Sequence, residues 1–255
     1  MSMPLPAHIP PDLPLRVLLV CPDTNDGTDD TAHVTQELSR SLRANGVDAR
    51  ILMPCGPSVD RTPLYRHPDP VSVELGIHEY FVAILTAAHP ADSSVPVYLV
   101  DHRDFFANTP DNPESGPIER AAFLSASVFP ACRALHWIPH VVHSFGWQAA
   151  YVAALARTRE YLRGYQETAT VLTLSTSDEP TADVMSLSRL GISHEQAVDM
   201  GLYTGGAVSL GAAGRSHADL VASPEESGDR SAGEWIETYR SLSRLRSRRD
   251  SRPIR

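Results

Sequence analysis

"LLVCPDTNDGTDDTAHVTQELSRSLRANGVDARIL" (Leu18 to Leu52) is the stretch whose reading settles the architecture. Arg16–Cys21, "RVLLVC", is a continuous apolar run of strand length, as expected of a strand buried on both faces. Thr31–Asn45 follows as a helix: Val34, Leu38 and Leu42 recur every four residues, and Gly46 stands where a C′ glycine ends a helix. Asp48–Met53 is the next strand, closed by Pro54 and Gly56. Strand, loop, helix and strand in this order favour a right-handed parallel unit. In such a unit the loop after the first strand meets a phosphate or a sugar. Here that loop carries Asp23, Asp26, Asp29 and Asp30, an unusual lining for a phosphate-facing loop.

With 255 residues and 42% hydrophobic content, the chain has enough apolar material for one large domain. No apolar run reaches bilayer length, so no membrane partner is expected. The first fourteen residues read as a disordered Pro-rich lead, without the basic and apolar regions of a signal peptide. Cys21, Cys55 and Cys132 lack metal-type spacing and suit a reducing cytoplasm. Net charge is −9, yet the last sixteen residues hold seven Arg and one Asp, so the body is more acidic than the total. An acidic body argues against nucleic acid as a partner. The basic end reads as a solvated helix end or a docking tail. The chain contains no lysine.

Further along, 54–70 is Pro-rich and irregular, and 71–87 is ambiguous between strand and other structure. Val95–Asp101 is a strand, and Ile118–Leu135 a helix interrupted near Pro130. His140–Ser144 is a short strand, Gly146–Glu160 a helix, Thr168–Ser175 a strand. A Gly-rich segment, a strand at Ala218–Ser223 and a final helix from near Ser231 complete the chain. Strands alternating with helices specify an α/β, doubly wound, mostly parallel, Rossmann-like sheet. One domain is expected over 15–240, followed by a basic tail over 241–255.

The order of these pieces resembles the N-terminal half of the bacterial glycogen and plant starch synthases, glycosyltransferases that use ADP-glucose. The resemblance runs through "RVLLVCPDTNDGTDDTAHVTQELSRSLRANGVDARILMPCG", "VPVYLVDHRDFF", "GPIERAAFLSASVFPACRAL", "PHVVHSFGWQAAYVAALART", "TATVLTLSTSDEP" and "GLYTGGAVSLGAAGRSHADLVASPEES". It covers about residues 15–230 and implies one half of a GT-B fold. The family's Lys-Thr-Gly-Gly loop falls on "NDGTDD", its H-D-W-H on Phe145, Gly146, Trp147 and Gln148, and its strand-end His on Leu174–Ser177. The Lys of its N-x-L-K run falls near Leu210–Gly211.

The resemblance implies that the family's loop Lys helps hold the donor's phosphates, so its absence here weakens a grip on a diphosphate. Losing one charge-assisted contact costs on the order of 1.5–3 kcal/mol. With repulsion from the carboxylates added, a total of roughly 3–6 kcal/mol weakens binding by about 100- to 10,000-fold. The resemblance also assigns the family two α/β domains with the reaction in the cleft between them, and only the first is matched here. The expectation is a glycogen/starch synthase-like domain that is not catalytic alone, a pseudoenzyme with a binding or regulatory role in glucan metabolism. The alternatives are one subunit of a split ADP-glucose-dependent glucosyltransferase, and a glucan-binding module using Trp147, Tyr151 and Phe105. Asp26, Gly27, Thr28, His143, Trp147, Gln148, Ser175 and Thr176 are the candidate substrate-binding residues; no catalytic residue, cofactor or metal is assigned. The expected partners are an α-glucan or sugar nucleotide, and a chain supplying a second GT-B domain or another copy of this one.

Other patterns have plainer readings. In "DTNDGTDD" the glycine comes one residue early for an EF-hand and Val34 stands at the twelfth position, so a solvated acidic loop fits better. Asp178, Glu179 and Asp183 read as helix-capping acids. Gly205–Gly206 near a helix start is a weak anion signal, and a lone histidine such as His143 at a strand end is structural more often than catalytic.

Overall fold

The computed structural model describes residues 14–22, 31–57, 59, 61–89, 92–106, 116–175, 179 and 182–250. The first unit is β1 (Arg16–Val20), α1 (Thr31–Ala44) and β2 (Asp48–Pro54). Next come β3 (Tyr65–Arg66), β4 (Val71–Leu75), β5 (His78–His89) and β6 (Asp92–Asp101), then α2 (Arg103–Phe106) and α3 (Pro117–Ala134). β7 (Val141–Phe145), α4 (Tyr151–Arg157) and β8 (Ala169–Thr173) follow. The last third holds α5 (Val184–Arg189), α6 (His194–Asp199), β9 (Tyr203–Thr204), β10 (Ala207–Val208) and α7 (Leu210–His217). It ends with β11 (Leu220–Ala222), α8 (Pro224–Asp229) and α9 (Ala232–Asp250).

Six parallel strands run in the order β6-β2-β1-β7-β8-β11. This is the doubly wound order of a Rossmann sheet, with its reversal point between β1 and β7. β5 adds antiparallel to β6 and carries β3 and β4 on its other edge. The ambiguous stretch 71–87 is thus a hairpin: Val71, Val73 and Leu75 are buried while Ser72 and Glu74 face out, the period-2 signature of a half-buried antiparallel strand.

Along β1 the side chains alternate between two cores. Leu18 and Val20 pack with Leu52, Val142, Phe123 and Val152 on the α3/α4 side. Val17 and Leu19 pack with Leu38, Leu42, Trp235 and Tyr239 on the α1/α9 side. A strand covered on both faces needs a run of apolar residues, which Val17, Leu18, Leu19 and Val20 supply. Gly46 has φ +79°, the left-handed C′ conformation that lets the chain turn from α1 into β2.

α3 is continuous through Pro130, contrary to the expected interruption. A proline leaves the carbonyl four residues earlier without its helical donor. Here that carbonyl, Ala126 O, accepts from the Arg159 guanidinium at 3.4 Å, and burial on all sides holds the helix in place. The Gly-rich segment forms the β9–β10 hairpin, with Gly205–Gly206 as its turn, and most of α7. Gly146–Glu160 is not one helix: a 3-10 turn at Trp147–Ala149 precedes α4. The boundary expected at residue 240 falls inside α9, which runs to Asp250.

α9 is fastened at both ends. Near its start, Trp235, Ile236 and Tyr239 are buried against the sheet. Further on, Arg246 pairs with Asp219, which also holds Arg157 and accepts from the Thr170 N–H. Burial pushes the Asp219 carboxyl up, but Arg246, Arg157 and the Thr170 amide together hold it below the usual carboxylate range. A depressed carboxyl contributes stability that is present at neutral pH and lost as pH falls below about 4. Asp219→Asn leaves two guanidinium groups uncompensated and is expected to cost about 3–5 kcal/mol at pH 7. Chemical denaturation at pH 7 checks this; a loss below about 0.5 kcal/mol contradicts it.

Candidate functional site

In open α/β sheets, ligands bind outside the carboxyl ends of the strands, at the reversal point of strand order. There the chain forms a cleft of about 190 Å³. The ends of β1 and β2 supply Pro22, Pro54 and Pro57; α2, after β6, supplies Phe105 and Phe106. The turn after β7 supplies Trp147 and Gln148, and the first half of α3 supplies Pro117, Arg120, Ala121 and Leu124. The volume is below the ~300–1,000 Å³ of sites that bury a whole drug-sized ligand, so the cleft takes a ring-sized piece of one.

The walls are rigid. Phe105 stacks on Phe123 with ring centroids 3.8 Å apart, and Tyr80 and His102 meet both rings edge-on. The turn carrying Trp147 and Gln148 is pinned from two sides: the Gly146 N–H donates to Thr173 O at 2.9 Å, and the Ser125 hydroxyl donates to Gln148 O at 3.4 Å. Arg120 is the single charged side chain lining the cleft among the described residues. Proline has no N–H, so Pro22, Pro54 and Pro57 offer no backbone donors there. Phosphate sites are built from such donors.

Trp147 and Gln148 both line the cleft. His143 is elsewhere. Its ring is fully buried on the α1/α9 side of the sheet, between the Tyr239 hydroxyl at 2.7 Å and Thr173 Oγ1 at 2.8 Å, and stacks on Phe145. Thr173 in turn meets the Ser227 hydroxyl at 2.6 Å, so the network ties β7 and β8 to α8 and α9. Burial, aided by the Arg230 charge, pushes the His143 imidazole down to about 3. Ser175 is half-buried beyond the end of β8 and does not line the cleft. Asp26, Gly27, Thr28 and Thr176 lie outside the described residues.

Tyr151 is buried, its hydroxyl on Met200 Sδ, and presents no ring to solvent. Asp183 caps α5 through the Ser186 N–H, and Glu179 takes the Gly211 N–H and the Ser209 hydroxyl at the start of α7. Both are helix-capping acids; Asp178 lies outside the described residues. Cys21, Cys55 and Cys132 are buried and form no disulfide. No helix among the described residues is long and apolar enough to cross a membrane. The lining residues that sequence reading did not pick out are Pro22, Pro54, Pro57, Phe106, Pro117, Arg120, Ala121 and Leu124. Their available signal was prolines placed directly after apolar strand runs.

The sequence model of the starch synthase catalytic domain matches residues 27–226. The chain belongs to the starch synthase catalytic domain family. This family member is 32% identical over 151 residues to a glycogen synthase of Treponema denticola, covering 56% of this chain and 30% of that protein. It is 28% identical over 212 residues to the glycogen synthase of Moorella thermoacetica, covering 82% of this chain and 43% of that one. The chain therefore spans less than half the length of these curated relatives. Among solved structures, the catalytic domain of Starch Synthase IV from Arabidopsis thaliana superposes with a TM-score of 0.69 at 16% identity, over 91% of this chain and 50% of that one. The fold is thus half of a starch synthase catalytic domain, as the sequence resemblance implied.

A histidine neutral in the folded state and protonated at about 6.5 when unfolded contributes stability that falls as pH drops from about 6.5 toward 3. His140, pushed down to about 4 by burial and by Arg16, acts in the same direction. His143→Gln is expected to reduce the slope of unfolding free energy between about pH 6 and 4 by about 1.4 kcal/mol per pH unit, with His140 accounting for part of what remains. Denaturant titrations across that range measure it; an unchanged slope contradicts the burial of a neutral ring.

Proposed function

We propose that this glycogen/starch synthase-like domain binds a neutral α-glucan in the cleft and does not by itself transfer glucose from a sugar nucleotide. In this reading it is a binding or regulatory protein of glucan metabolism in the cytoplasm. The observation that carries the reading is the lining among the described residues: aromatic and proline walls with one guanidinium, Arg120. Such walls suit the apolar faces of a sugar ring, with a few polar groups left to fix its orientation. A diphosphate asks for several aligned donors and positive charge, as at glycine-rich loops. The sequence supports the same direction, since residues 23–30 include four Asp and the chain holds no lysine to replace the one in the family's motif.

The Arabidopsis domain that shares the fold was solved with ADP and with acarbose, a glucan analogue. Of those two chemistries, the cleft here fits the saccharide. Purified chain is expected to turn over neither ADP-glucose nor UDP-glucose onto glycogen, and to co-sediment with glycogen. Trp147→Ala is expected to weaken that co-sedimentation by about 2 kcal/mol, ~30-fold, as for a buried aromatic anchor. Measurable glucosyl transfer, or equal co-sedimentation of wild type and variant, contradicts the proposal.

A further inference from the structure

Within this cleft one polar side chain is placed for a ligand in an unusual way. The carboxamide of Gln148 lines the cleft, is half-buried, and has no hydrogen-bond partner among the described residues; only its backbone carbonyl is engaged, by Ser125. The side chain folds back over Gly146. A Cβ built on Gly146 would lie 2.5 Å from Gln148 Oε1 and 3.7 Å from its Cδ, with Pro22 Cγ at 3.8 Å. The backbone there has φ +73°, a conformation L side chains rarely adopt, and the Gly146 N–H bond to Thr173 O holds it. Any side chain at 146 would displace the amide from where it stands.

We propose that Gln148 is the specificity-determining residue of the cleft, its carboxamide bonding adjacent hydroxyls of a neutral sugar ring, and that Gly146 is the positioning residue that leaves room for it. The inference rests on the glucan-binding reading and names the group that carries recognition. A carboxamide presents a donor and an acceptor side by side. Adjacent sugar hydroxyls, each donor and acceptor, match both at once, whereas a phosphate offers only acceptors and leaves Oε1 unpaired or repelled. A site built to bond hydroxyls discriminates through the polar group left unpaired when the wrong ligand enters.

Isothermal titration of maltopentaose into the full chain tests the assignment. Gln148→Leu keeps the volume and removes both bonding groups; it is expected to weaken binding about tenfold, about 1.4 kcal/mol, with an unchanged thermal midpoint. Gly146→Ala is expected to weaken binding to a similar degree, and the double variant G146A/Q148L to bind no more than twofold more weakly than Q148L alone, because both changes remove one arrangement. If Trp147→Ala loses binding while Q148L stays within twofold of wild type, the glucan reading stands and the role of Gln148 falls. If the double variant shows the product of two independent losses, the positioning role of Gly146 falls. If wild type shows no saturable binding, both the reading and this inference fall. Should Gly146→Ala fail to fold, Q148L against W147A decides the role of Gln148, and Gln148→Asn, which keeps the carboxamide but shortens its reach over Gly146, decides the positioning: a tenfold loss supports it and full retention overturns it.

Discussion

The cleft exists because β1 is hydrogen-bonded to β2 on one edge and to β7 on the other, both in parallel. Parallel neighbours need crossovers; the one from β1 through α1 to β2 and the one from β6 through α3 to β7 run in opposite directions and place their helices on opposite faces. Near the carboxyl ends of these strands Pro22, Pro54, Phe105, Phe106, Trp147 and Gln148 gather around one cleft. The apolar run at residues 16–21 is what fixes this. Covered on both faces, β1 has no solvent side, and a one-residue slip in its register would exchange Leu18 and Val20 with Val17 and Leu19 between two differently packed cores.

The two faces of the sheet divide the labour. On the α3/α4 side the aromatic cluster of Tyr80, His102, Phe105 and Phe123 stiffens the wall of the cleft. On the α1/α9 side the Tyr239–His143–Thr173–Ser227 network and the Arg246–Asp219–Arg157 cluster hold α9 against β7, β8 and β11. The second face is structural, and the first lines the cleft proposed to take a ligand. Gly146, at the end of β7, joins the two: its N–H is tied to β8 through Thr173 O while its missing side chain shapes the cleft.

Much of this was legible in the sequence, for identifiable reasons. β1, α1 and β2 follow from apolar runs and helical periodicity, signals that depend only on neighbouring residues. Trp147 and Gln148 were legible because they directly follow a strand run. The β4–β5 hairpin was not, because His78–His89 is long and covered unevenly, so its alternation is broken. The continuity of α3 was hidden because the group that relieves Pro130 is Arg159, a long-range partner. The side of the sheet that His143 faces was hidden for a related reason: period-2 alternation tells which residues share a face with it, not which face meets the cleft. Gly146 and Gln148 stand two positions apart in the sequence. In space they are one arrangement, the small residue opening the volume that the amide fills.

The cleft is proposed to suit a sugar ring, on the strength of an aromatic and proline lining with one guanidinium among the described residues. A crystal of the chain soaked with ADP and maltopentaose together addresses this most directly. Sugar rings ordered against Trp147 and Gln148, with no pyrophosphate density between the strand ends, is the expected result. Pyrophosphate bound beside Arg120 or along residues 23–30, with the sugar absent, would contradict it.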